Sequence, residues 1–213
     1  MENKNTIICV GRQLGSGGRI VAQMLANEFG CNFYDRELLN LAAKESGFDA
    51  KFFEQNDERK GFFKSMFHIH APLVSDNNFY NNRLSQESLF QFQSDAIRRA
   101  AESASCVFVG RCADYVLRDM PNMVSVFITA DLEERIAQIA ERHQCSEAEA
   151  KKILRAKEDS RSSYYNYYTG KTWGHSASYD LCINSSLLGL EQTAQYIADF
   201  VRRTLEKRIG EKG

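Results

Sequence analysis

The sequence predicts an α/β fold: a central parallel sheet of five strands with helices on its faces. Three observations carry that expectation. Strand-length apolar runs are continuous instead of alternating, as strands buried on both faces require. Segments with helical spacing separate them, which implies βαβ units and a doubly wound sheet. A glycine-rich turn joins the first strand to the first helix.

Residues 6–10, TIICV, suit a buried strand, and residues 20–29 place Val21, Leu25 and Phe29 on one helical face. A short strand at 32–34 precedes a helix over 36–46 with Leu38, Leu41 and Ala42 in line. CVFV at 106–109 and VSVFI at 124–128 are the next strands. Asp131 with Glu134, and Ser146 with Glu149, have the spacing of capping boxes and open two helices. The last strand, 181–183, leads into an amphipathic helix over about 191–206. The stretch from about 50 to 87 shows neither period and reads as an inserted helical or mobile segment. Within it, His68 and His70 have no second ligand cluster nearby and read as ordinary histidines. At 160–174, SRSSYYNYYTGKTWG crowds four tyrosines and the only tryptophan into an expected loop, where they close over a ligand, form a subunit contact or pack.

A chain of 213 residues with 43% apolar content fits one domain. Its net charge of −1 offers no global argument for nucleic acid or an anionic membrane as partner, so any anion site is a local cluster. No apolar run approaches the roughly 20 residues of a membrane span, and the opening MENKN has no secretory h-region, so a cytoplasmic protein is expected. The six cysteines show no C-x-x-C spacing and read as reduced packing thiols.

The chemistry concentrates at residues 6–19, TIICVGRQLGSGGR. Glycines between strand and helix let backbone N–H groups close around phosphate oxygens, and the helix N-terminus adds its positive end. Arg12, Gly15, Ser16, Gly17, Gly18 and Arg19 are therefore the candidate phosphate-binding residues. Aligning the Walker A pattern on Gly18-Arg19 puts Gln13 where the first glycine belongs, Arg19 at the lysine, and Ile20 at the magnesium-binding hydroxyl. An arginine still holds phosphate oxygens, as a planar fork. Arg111 follows the strand CVFV at the carboxyl edge, Asp35 stands in the same place after the second strand, and Asp114 lies one turn beyond Arg111.

GSGGR, YDREL, VGRCADYVL, DLEERIAQIAER, YYNYYTGKTWG and YDLCINSS, in this order, resemble the cytidylate-kinase-like proteins of bacteria, relatives of the nucleoside monophosphate kinases. The resemblance spans nearly the whole chain and is weakest between about 50 and 87. It implies a P-loop kinase fold in one domain over 1–213, an acceptor-binding insertion at about 50–90 and a lid at about 142–175. It also implies ATP as donor, Mg2+, and nucleotide substrates with CMP or dCMP as acceptor. Carried over by position, Gly15 to Arg19 bind donor phosphates; Arg19, Arg111, Arg161 and Lys157 are catalytic; and Asp35, Arg111 and Asp114 bind the acceptor. The D-G-R-D motif of cytidylate kinases reads Val109-Gly110-Arg111-Cys112 here, without its acids. That leaves the metal ligands open, with Ser16 and Asp35 the candidates. Two further readings are a nucleotide-binding sensor or assembly protein without turnover and a kinase of another small metabolite. Oligomeric state, a homodimer included, is open.

Overall fold

The computed structural model describes residues 5–35 and 81–210. The helix expected over 36–46, His68, His70 and most of the expected insertion lie outside them. In chain order the elements are β1 (Ile7–Arg12), α1 (Gly18–Phe29), β2 (Asn32–Tyr34), α2 (Asn81–Ser103), β3 (Cys106–Val109), α3 (Ala113–Val116), β4 (Met123–Thr129), α4 (Leu132–His143), α5 (Glu147–Thr169), β5 (Leu181–Asn184) and α6 (Gly189–Gly210). The strands form one five-stranded sheet, order β2-β3-β1-β4-β5, in which every pairing is parallel.

Side chains of β1 alternate between two cores, as a period of two dictates. Ile8 and Val10 join Val107, Val109, Val124 and Val126 under α1 and α6, which contribute Val21, Leu25, Ile197 and Val201. Ile7 and Cys9 face the other way with Cys106, Phe108 and Met123, covered by Ile97 and Ala101 of α2 and by Val116 and Leu117. Each such fully buried aliphatic side chain contributes about 1.5–3 kcal/mol relative to exposure. A third cluster, Ile136, Ile139, Ala150 and Leu154, joins α4 to α5, and Leu14 of the glycine loop packs against it.

Two local expectations change. At Ser146 both halves of the capping box form. At Asp131 they do not: Asp131 Oδ1 accepts from Asn184 Nδ2 at 2.8 Å and Glu134 from the Ser186 hydroxyl at 2.7 Å. The β5–α6 connection draws both side chains away. The tyrosine-rich segment, expected as a loop, is the C-terminal half of α5, which runs uninterrupted to Gly170 at φ +67°, a left-handed stop suited to glycine.

Candidate functional site

β1 and β3 are neighbours at the centre of the sheet, but the chain leaves β1 toward β2 on one side and leaves β3 toward β4 on the other. A crevice at the carboxyl ends follows from that reversal. A cavity of about 640 Å³ opens there, lined by the ends of both strands and by α2, α5, Trp173 and Tyr179.

The glycine loop stands beside it. Gln13 ties the loop to β4: its N–H donates to the Ile128 carbonyl at 3.0 Å and its Oε1 accepts from Ala130 N at 3.3 Å. Gly15 has φ +80°, and a Cβ there would come within 2.9 Å of the Arg135 backbone. Gly17, at φ +67°, caps α1, and a Cβ there would run into Leu190. Among the described residues the amides of Gly15, Gly17 and Gly18 have no internal acceptor. They are donors at a helix start, which favours an anion.

Arg12 lies between loop and cavity. Its Cβ packs on Gly18, its guanidinium crosses Gly110 where a side chain would collide with Nη1, and its carbonyl accepts from Arg161 Nη1 at 3.2 Å. Gly110, Arg111 and Cys112 form three consecutive left-handed residues, with φ of +75°, +59° and +57°. For the two non-glycines that costs about 1–2 kcal/mol each, and strain of this kind concentrates at functional sites. The turn presents Arg111 to α5, with the guanidinium carbon 5.1 Å from the Tyr164 ring centre. Arg12, Arg111 and Arg161 thus line one cavity from β1, the β3 exit and α5. Lys157 is exposed and is not among its lining residues.

Asp114, 9% exposed, lies at the wall, where Oδ2 accepts from the Tyr165 hydroxyl at 2.7 Å. Burial pushes its pKa above the ordinary aspartate value, against the lowering effects of the Tyr165 bond and the Lys171 charge. Burial likewise pushes Tyr164 up to about 12 despite the Arg111 charge beside it. Tyr164 donates to Gln93 Oε1 at 3.3 Å, Tyr167 to Glu87 at 3.2 Å, and Tyr168 stacks on Phe90 at 4.0 Å, so α5 is clasped to α2 across the cavity. Glu158 of α5 reaches the loop itself: its Oε1 accepts from Leu14 N at 3.3 Å and from Arg135 at 2.7 Å. Neither the reach of Glu158 nor the pairing of Tyr165 with Asp114 carries a sequence signal, because the partners are far apart along the chain; Asp114 itself and the tyrosine crowding were the visible signs.

Arg19 is engaged by Asp35, which follows β2. Its Nη2 and Nε both donate to Oδ2 of buried Asp35, at 2.6 and 3.0 Å. Ser16 is buried, with its hydroxyl donating to the Gln13 carbonyl at 3.0 Å and its own carbonyl accepting from Ser185 at 2.9 Å. P-loop enzymes hold Mg2+ through a loop hydroxyl and an aspartate. With Ser16 turned inward, Asp35 engaged by Arg19 and Ile20 at the hydroxyl position, these groups do not fit a loop-held cation. Among the described residues no three His, Cys, Asp or Glu side chains converge.

Comparison with known proteins gives three findings. A family model described as the cytidylate kinase-like family matches residues 7–187. No curated protein matches. Among solved structures, an uncharacterized protein from Eubacterium ventriosum ATCC 27560 is 28% identical with a TM-score of 0.72, covering 93% of this chain and 99% of that one. A gluconokinase from Sinorhizobium meliloti 1021 is 12% identical, TM-score 0.55, covering 98% of both chains. A shikimate kinase from Bacteroides thetaiotaomicron is also 12% identical, TM-score 0.52, covering 92% of this chain and 98% of that one.

Proposed function

Because the chain belongs to the cytidylate kinase-like family, we propose that it transfers a phosphoryl group from ATP to a nucleoside monophosphate, CMP or dCMP being the acceptor the family name suggests. Its fold is that of the P-loop kinases, and phosphoryl transfer is the chemistry that family and fold share. The observation that carries the reading is the placement of Arg12, Arg111 and Arg161, on three separate elements, around one cavity beside a glycine loop with unengaged amides.

Phosphoryl transfer asks for positioning and charge neutralisation more than covalent chemistry. In this reading the loop amides and Arg19 hold the donor phosphates, while Arg111, Arg161 and Arg12 hold the acceptor phosphate and the charge that develops between the two. The acceptor phosphate is already anionic, so no side chain need act as base. The tyrosines of α5 give an aromatic wall for a ring, and their clasp on α2 keeps water from the donor. Residues from about 142 to 175 act as the lid, and the segment from about 50 to 90 completes the acceptor site.

A second reading, nucleotide binding without turnover, is favoured by one observation: Nε and Nη2 of Arg19 are engaged by Asp35. A coupled assay with ATP and Mg2+ against a panel of nucleoside monophosphates, gluconate and shikimate separates the readings. Turnover on CMP or dCMP is expected. Turnover only on a sugar acid or another metabolite overturns the acceptor, and nucleotide binding with no turnover on any acceptor favours the second reading.

A further inference from the structure

We infer that Arg19, and not a divalent cation held by the protein, supplies the local positive charge to a triphosphate at the glycine loop. The inference rests on the reading of that loop as the donor site.

Arg19 occupies the position after Gly18 where P-loop enzymes carry their lysine, and Ile20 occupies the next position, where they carry the hydroxyl that binds Mg2+. Ile20 is half exposed, and Val21 is wholly buried, so neither offers an oxygen. The hydroxyl of Ser16, the other candidate, is turned inward onto the Gln13 carbonyl in a residue only 2% exposed. Its lone pairs remain, but in a residue this buried a cation reaches them only if the loop backbone moves, and Ser185 holds that backbone through the Ser16 carbonyl.

Asp35 is the remaining carboxylate. One of its oxygens takes two N–H donors from Arg19, and its side chain is 8% exposed whereas that of Arg19 is 63% exposed. The negative partner is withdrawn into the fold and the positive one reaches toward solvent. A divalent cation bound at Asp35 would stand against a guanidinium 2.6 Å from the same oxygen, a like-charge contact. Mg2+ also demands near-octahedral oxygen ligands at about 2.0–2.1 Å. A guanidinium needs none of this: with Nε and one N–H of Nη2 on Asp35, the N–H donors of Nη1 and the second of Nη2 remain to meet phosphate oxygens. Any magnesium would arrive on the nucleotide's own oxygens, without a ligand from Ser16, Ile20 or Asp35.

Calorimetric binding of a non-hydrolysable imido analogue of ATP to the full chain, in EDTA and in excess Mg2+, tests this. The two dissociation constants are expected to agree within about threefold. Arg19→Ala should weaken binding about tenfold or more in both buffers alike, and Asp35→Asn should leave the ratio between buffers as it is in the parent protein. Tightening by Mg2+ of about tenfold or more overturns the inference while leaving the donor-site reading intact, and its loss in Asp35→Asn would mark Asp35 as the ligand. Unchanged affinity in Arg19→Ala also overturns it. Absence of binding in both buffers overturns the inference and the donor-site reading together.

Discussion

The Tyr165 hydroxyl donates to Asp114 Oδ2 at 2.7 Å, joining α5 to α3 just past the turn that presents Arg111. Burial raises the Asp114 pKa, so the folded chain binds its proton more tightly than the unfolded chain does. The contribution of this group to stability is therefore full below the ordinary value of 3.8 and is lost as pH rises from there through the raised value. Asp114→Asn should flatten that part of the stability profile. Tyr165→Phe should push the Asp114 pKa higher still and cost about 1–3 kcal/mol near neutrality, by leaving a buried carboxylate short of its donor. Thermal unfolding of the parent and both variants across the acid range checks the slopes; parallel profiles for parent and Asp114→Asn would count against a titrating Asp114.

Arg111 and Arg161 line one cavity from elements far apart in sequence. If both act on one transition state, their effects are strongly non-additive. Each alanine variant is expected to lose about 1.5–3 kcal/mol of transition-state stabilisation, and the double variant clearly less than the sum. Lys157→Ala provides the comparison, its side chain being exposed and away from the cavity lining. Kinetics on the acceptor identified by the panel assay give the cycle, and strict additivity would break the shared site.

Much of this was legible along the chain. Continuous apolar runs mark β1, β3 and β4 because strands buried on both faces need no polar alternation. The glycine loop was legible because positive φ and close approach by Arg135 and Leu190 leave no room for a side chain. Less legible were contacts made at a distance. Nothing local says that Asp131 will bond Asn184 instead of capping α4, that Arg19 will find Asp35, or that Glu158 will reach Leu14. The tyrosines were visible, but their helical setting was not, since aromatic crowding next to a Gly-Lys-Thr-Trp-Gly run resembles a loop until Gly170 is seen to end the helix.

Gly110 makes room for Arg12. Gly110→Ala would place a methyl on the Arg12 guanidinium at φ +75°, doubly unfavourable. Strain of about 1–2 kcal/mol is expected in unfolding, together with a raised KM for the acceptor as Arg12 is displaced. An unchanged acceptor KM would place Arg12 outside acceptor binding.

Thiol chemistry should follow burial. Cys106 and Cys112 are pushed up to about 12 by burial, and Cys9 is also raised well above an ordinary thiol. At neutral pH these three are expected to resist alkylation in the folded chain, although Cys112 lines the cavity. Mass spectrometry after brief iodoacetamide treatment checks it, and rapid labelling of Cys112 would require the α2–α5 clasp to open readily.

Glu158 should bear on stability and on the loop together. It accepts from the Arg135 guanidinium at 2.7 Å with both side chains largely buried, and from the Leu14 amide at 3.3 Å. Removing one member of a buried ion pair strands the other, at a cost of about 3–5 kcal/mol. Arg135 also donates through Nε to the Ala130 carbonyl, so in Glu158→Ala the guanidinium stays inside, charged and short of its counter-ion. Glu158→Gln retains an acceptor for Leu14 but not the charge. The expected order of stability is parent, then Gln, then Ala. If Glu158 fixes the loop, nucleotide affinity should fall in Ala more than in Gln, because only Ala frees the Leu14 amide. Denaturant unfolding with nucleotide titration of both variants decides: equal affinity in the two would leave Glu158 a structural partner of Arg135 alone.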